Sequence, residues 1–194
     1  MKFLSKLYLY LKRFFQGTNA SLNVVTIPPE IGGDELIVRG IVHPLFYSFS
    51  KNKLSDKSFL PPPVKDRNDV SVLRHDYTDT NQCKAHVKNN VKIGGSEYCG
   101  LAIVQAKNVE EVNSMSNLFF DNGEKLSVSI KATPLDNLAI HSDILYSHSV
   151  IVDEPNTLMR KLAKSLRDKS KYLHDPNPKH TEWKGEEINV NLFQ

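Results

Sequence analysis

The period of the hydrophobic pattern changes several times along this chain, and each change marks a new element. In residues 1–17 (MKFLSKLYLYLKRFFQG) the apolar side chains recur at helical spacing. Phe3, Leu4, Leu7, Tyr8, Leu11, Phe14 and Phe15 share an arc of roughly 140° when turned at 100° per residue. Lys2, Ser5, Lys6, Lys12 and Arg13 lie opposite, which predicts a basic amphipathic helix stopped by Gly17. Residues 21–27 (SLNVVTI) predict a strand ended by Pro28-Pro29. Residues 35–42 (ELIVRGIV) are the clearest strand, with Leu36, Val38 and Gly40 on one face and Ile37, Arg39 and Ile41 on the other. Residues 51–68 are polar and broken by Pro61-Pro62-Pro63, so they predict a loop whose Lys51, Lys53 and Lys57 face solvent.

The second half alternates short strands with helical stretches. Residues 69–74 (DVSVLR) predict a strand, 82–90 either a short helix or a loop, and 98–105 (YCGLAIVQ) a buried strand. Asn108 can cap a helix running to about Phe120, with Val109, Val112, Met115, Leu118 and Phe119 on its apolar side. Residues 125–131 (KLSVSIK) alternate like a strand, and 138–153 predict one long strand or two short ones. Glu154-Pro155 opens a helix expected to reach about residue 173, with Leu158, Met159, Leu162, Leu166 and Leu173 as its buried stripe. Arg160, Lys161, Lys164, Arg167, Lys169 and Lys171 surround that stripe, opposed only by Asp168. Trp183, near the end of the chain, is expected to pin the tail to the core. The succession predicts a compact α+β domain over residues 18–194. It would hold a mixed or antiparallel sheet and two or three packed helices, with helix 1–17 as an extension.

Composition narrows this picture. The chain has 194 residues, 40% hydrophobic and 24% charged. These values are ordinary for a globular domain and exclude wholesale disorder, a collagen repeat and a polytopic membrane protein. Two cysteines, Cys83 and Cys99, are too few for a disulfide scaffold and suit a reducing, cytoplasmic compartment. Helix 1–17 does not read as a secretory signal. Its apolar run at 7–11 is short, meets Lys12-Arg13, and has no small-residue cleavage pattern after it.

Net charge is +3, but it is unevenly spread. Residues 1–29 carry +4 with no acid. Residues 30–159, with 13 basic and 17 acidic side chains, carry −4, and residues 160–194 carry +3. Two basic ends on a mildly acidic middle point to where a partner would be met. Helix 1–17 has three readings: it packs on its own core, docks in a partner's groove, or lies on an anionic membrane surface.

Several chemistries fail on motif. There is no Gly-x-Gly-x-x-Gly after a strand, no P-loop, no Gly-x-Ser-x-Gly elbow and no His-Glu-x-x-His. Cys83, His86, Cys99 and His141 form a candidate tetrahedral zinc set, but no Cys-x-x-Cys or His-x3-His pair anchors it, so neither metal nor cofactor is expected. Arg39 on the strong strand, with His43 after it and Ser71 and His75 at the next strand, could clamp a phosphate and orient a nucleoside. That layout is loosely similar to the NAD-consuming ADP-ribosyltransferases, which place an arginine or histidine on an early strand and a serine on a later one. The resemblance implies a nucleotide-acting enzyme using Arg39, Ser71 and His75, with Glu97, Glu110 and Glu111 as default candidates for its glutamate. The electrostatic pattern favours nucleic acid more directly, through Lys161, Lys164, Arg167 and Lys171 at one end and Lys6 and Arg13 at the other. Phe46, Tyr47, Phe49 and Tyr77 are candidate stacking rings. The expectation is therefore a non-enzymatic accessory or adaptor protein that docks on a larger assembly through basic amphipathic helices, nucleic acid being its candidate polyanion. The nucleotide-acting enzyme is the alternative.

Overall fold

A computed structural model describes residues 26–90, 94–151 and 156–193. The expected N-terminal helix, with Lys6 and Arg13, lies outside the described residues, as does most of the expected strand at 21–27. The strands are β1 (Leu36–His43), β2 (Tyr47–Ser48), β3 (Lys53–Leu54), β4 (Asp69–Arg74), β5 (Glu97–Gln105), β6 (Val128–Ala132), β7 (His141–Tyr146) and β8 (Lys171–His174). Three helices are described, α1 (Thr80–Asn90), α2 (Ala106–Ser116) and α3 (Thr157–Lys169). The fold is α+β: an antiparallel sheet in the order β6-β7-β4-β1-β5-β8, with β2 and β3 as a small separate hairpin.

Helical cover on both faces explains why the central strands are apolar on both. Ile37, Ile41, Val70, Val72, Ala102, Val104 and Ile144 face one core, which α2 and α3 close with Val109, Val112, Met159, Leu162 and Leu166. Leu36, Val38, Leu73, Leu101 and Ile103 face the other core, closed by Cys83 and Val87 of α1 and by Ile188 and Trp183 of the C-terminal tail. Successive side chains of a strand point to opposite faces, so a strand buried on both reads as a continuous hydrophobic run. The second layer packs closely on the sheet. A Cβ added at Gly40 would come 2.4 Å from a Val87 methyl, so only glycine lets α1 lie there.

Several boundaries differ from expectation. The helix expected from an Asn108 cap to about Phe120 is α2, Ala106–Ser116; Asn108 lies inside it, Asn117 ends it at a φ of 29°, and Met115 and Phe119, expected on its apolar side, are exposed. The C-terminal helix stops at Lys169, and Lys171–His174 becomes edge strand β8, paired with β5 from Ile103↔Lys171 to Gly100↔His174. Leu173 is thus buried against the sheet rather than on a helical stripe, and Lys171 belongs to the edge strand. The cause is the unpaired edge of β5, which offers a ladder of backbone partners just where the helix ends at Ser170. The polar segment 51–68 is also more structured than a solvated loop. It holds β3 and a 3-10 turn, Asp56–Phe59, whose Ser58 and Phe59 are fully buried and which packs on α3. Tyr146 Oη donates to the Phe59 carbonyl at 2.6 Å, fixing that turn to the sheet.

Among the described residues, no helix is long and apolar enough to cross a membrane.

Candidate functional site

The outer face of α3 is the most strongly charged surface that an element of this fold presents. Met159, Leu162, Ala163 and Leu166 repeat at helical spacing and are buried, which turns the remaining positions outward. Arg160, Lys161 and Lys164 are exposed, and none has a carboxylate within salt-bridge distance among the described residues. Arg167 is less free: its Nε and Nη2 both donate to Asp168 Oδ1, and it is half-buried. Lys169 Nζ meets Glu111 Oε2 at 3.1 Å, tying the helix end to α2. Lys171 is exposed on β8.

The turn that carries Lys57 packs against α3, and the hairpin leading into it carries exposed Lys51 and Lys53. Sequence reasoning set these three lysines aside as a solvated loop. The signal that joins them to α3 is buried Phe59, an aromatic within an otherwise polar run. Of the four candidate stacking rings, Phe46 and Tyr47 are buried, Tyr77 lies beneath the Arg74 guanidinium at 4.7 Å, and only Phe49 is exposed. Phe49 stands 4.6 Å from the His43 ring and 5.8 Å from the His174 ring, between centroids.

The second site is a cleft of about 540 Å³ where the sheet parts. β1 and β4 pair only at Ile37↔Arg74 and Val38↔Leu73, after which β4 follows β7 and β1 follows β5. Arg39 bridges the gap. Its Nη1 donates to the Ser71 carbonyl at 2.7 Å and its Nε to the Ser58 carbonyl at 3.1 Å, and its guanidinium lies 5.1 Å from the Phe46 ring centre. Burial lowers the Arg39 pKa to about 10, although the charges of Asp143 and Asp69 pull it back up. His86, Asn90 and His141 line the opposite wall. Asn90 Nδ2 donates to His86 Nδ1 at 3.2 Å, so the ring proton is assigned to Nε2. His141 Nδ1 lies 2.8 Å from the Thr133 carbonyl and is assigned a proton, while its Nε2 faces the Asp143 carboxylate, 3.8 Å from Oδ1. Burial and the neighbouring His141 both lower the His86 pKa.

The expected trio is only partly assembled. Arg39 and Ser71 meet at the cleft, but through the Ser71 backbone. His75 stands in the turn after β4, with its Nε2 3.1 Å from Thr80 Oγ1, and does not line the cleft. The zinc set is split by the sheet: Cys99 belongs to the core under α2 and α3, and Cys83 to the core under α1. Burial pushes the Cys83 thiol up to about 12 and raises that of Cys99 as well, so both are disfavoured as free thiolates.

The two most buried cations have structural partners. Arg74 makes a two-pronged contact with Glu35, at 2.7 and 2.6 Å, and also donates to the Glu30 carbonyl. Lys84 Nζ lies 2.7 Å from Asp175 Oδ2, with both side chains fully enclosed.

No family model, curated protein or solved structure matches this chain.

Proposed function

We propose that this protein is a non-enzymatic accessory or adaptor protein that docks on a larger assembly through the exposed face of α3, with nucleic acid as the polyanion it contacts. One observation carries the reading. The apolar stripe of α3 is wholly used by its own core, while Arg160, Lys161 and Lys164 on the other side meet no acid among the described residues. A helix whose apolar face is spent cannot dock by burying that face in a groove; what it has left to offer is charge. Lys57, on the turn packed beside it, and exposed Phe49, on the adjoining hairpin, suit a flexible single strand that is held by its phosphates and stacks a base on a ring. Lys6 and Arg13 would extend the same contact from the N-terminal segment, and an anionic membrane surface is the competing polyanion.

The reading also draws on how the titratable groups are used. Arg74–Glu35 and Lys84–Asp175 are closed pairs, and both thiols are held protonated by burial. The enzymatic alternative needs Arg39, Ser71 and His75 in one pocket, and His75 is engaged with Thr80 instead.

The test is fluorescence anisotropy of a labelled single-stranded oligonucleotide, comparing the full chain with the triple variant Arg160→Glu, Lys161→Glu, Lys164→Glu. The expected result is at least about a tenfold loss of affinity, equivalent to 1.4 kcal/mol. Arg167 is left untouched because Asp168 already occupies it. Equal affinities in the two proteins would sink the proposal.

A further inference from the structure

The cleft between β1 and β4 holds a cation whose charge nothing on the protein side balances at contact distance. Arg74 and Lys84 are buried and each meets a carboxylate. Arg39 is half-buried in the gap of the sheet, and among the described residues its hydrogen bonds go only to two carbonyls, with one aromatic ring beside it. Nε and Nη1 each make one hydrogen bond, while Nη2 makes none among the described residues. A guanidinium has five N–H donors in a rigid fork, so most of its donor capacity is open. Withdrawing a charge partly from water while its nearest counter-charges, Asp143 and Asp69, stay beyond ion-pair distance is costly, and part of that cost is recovered when an anion binds beside it.

The rest of the cleft suits a molecule with an apolar body. Val38, Leu73 and Val87 wall it on the sheet and α1 sides, and Leu135 stands exposed at its rim. His86, with Nε2 assigned as a donor, and His141, whose Nε2 stands 3.8 Å from Asp143 Oδ1, supply a small number of fixed polar groups. A cleft of about 540 Å³, open to solvent on one side and lined by both apolar and polar side chains, has the size of a small-molecule site. We propose that this cleft binds a small organic anion, its carboxylate or phosphate head on Arg39 and its apolar body between Val38, Leu73, Val87 and Leu135. The site is separate from α3 and does not depend on the docking proposed there. It is a binding site, with no bond made or broken.

The test uses the full chain and three probes: phenyl phosphate, phenylacetate and, as neutral control, 2-phenylethanol. Each is titrated to about 20 mM, a range that reaches millimolar affinities, while the Arg39 Nε–Hε signal and the His86 and His141 ring signals are followed by NMR. The expected result is a saturable shift of these signals with at least one anion, and binding at least about tenfold weaker for 2-phenylethanol. The anion that binds more tightly identifies the head group. Arg39→Gln is expected to cost the anion at least about tenfold in affinity. Because Arg39 also bridges two strands, Leu135→Trp provides a second variant that fills the mouth from an exposed position, and it is expected to abolish the shifts. The proposal is overturned if neither anion shifts the Arg39 signal, if the neutral probe binds as well as the anions, or if folded Arg39→Gln or Leu135→Trp protein binds as before.

Discussion

Lys84 has all of its polar partners inside the protein, one ion pair and two hydrogen bonds. Its Nζ pairs with Asp175 Oδ2 at 2.7 Å and donates to the Asn177 and Glu182 carbonyls at 2.9 and 2.7 Å. The side chain is fully buried, so each contact stands in for a hydrogen bond once made with water. Through it α1 is fastened to the tail from inside the core, beside the outer contacts of Lys88 Nζ with the Lys179 and His180 carbonyls and of Trp183 N–H with Asn81 Oδ1. Replacing it by an apolar residue of similar length strands the Asp175 carboxylate and two carbonyls. Lys84→Met is therefore expected to cost about 3–5 kcal/mol, read as a lower urea midpoint. A loss of less than about 0.5 kcal/mol, the range of ordinary surface changes, would show that the pair does not hold the tail. None of this was legible in the sequence. A lysine at position 84 looks like solvent-facing helix, and its partner lies 91 residues further on. Arg39 was more readable, because an arginine in the middle of an apolar strand must be explained. What the sequence could not show was that the Ser71 carbonyl, rather than its hydroxyl, would meet it.

The strands were read more reliably than the helices, and the reasons are local. β4 falls on the residues expected, and β1 and β5 differ by a residue or two, because apolar runs bounded by polar segments leave little choice of register. α1 was ambiguous because its buried face is Cys83, Lys84 and Val87, a pattern in which the central residue counts as polar. α3 was extended too far because Leu173 follows Leu166 at a helical interval and no glycine or proline intervenes; the pairing of β8 with β5 decides the matter instead. The contact between α1 and β1 supplies a test at this scale. Gly40→Ala places a methyl against Val87 and is expected to cost about 1–3 kcal/mol in chemical denaturation. Adding Val87→Ala should recover part of that loss, since the two side chains compete for one space. Losses that simply add would mean that α1 does not rest on Gly40.

At the scale of the whole molecule, the net charge of +3 conceals a division of labour. The mildly acidic middle of the chain builds most of the sheet and encloses its own charges in pairs such as Arg74–Glu35. The basic C-terminal part divides at Ser170. Before it, α3 turns its lysines outward; after it, β8 and the tail complete the sheet and cover α1. The apolar side of α3 belongs to the fold, and its charged side is the one that the proposed docking would use. Electrostatic docking of this kind releases counterions, so its affinity must depend on salt in proportion to the phosphates engaged. The decisive measurement is the dependence of oligonucleotide affinity on salt concentration for the full chain and for the variant Arg160→Gln, Lys161→Gln, Lys164→Gln. The account predicts a steep fall for the full chain and a slope shallower by about 2 logarithmic units per decade of salt in the variant, as the loss of three single-strand phosphate contacts requires. Identical slopes in the two proteins would contradict it.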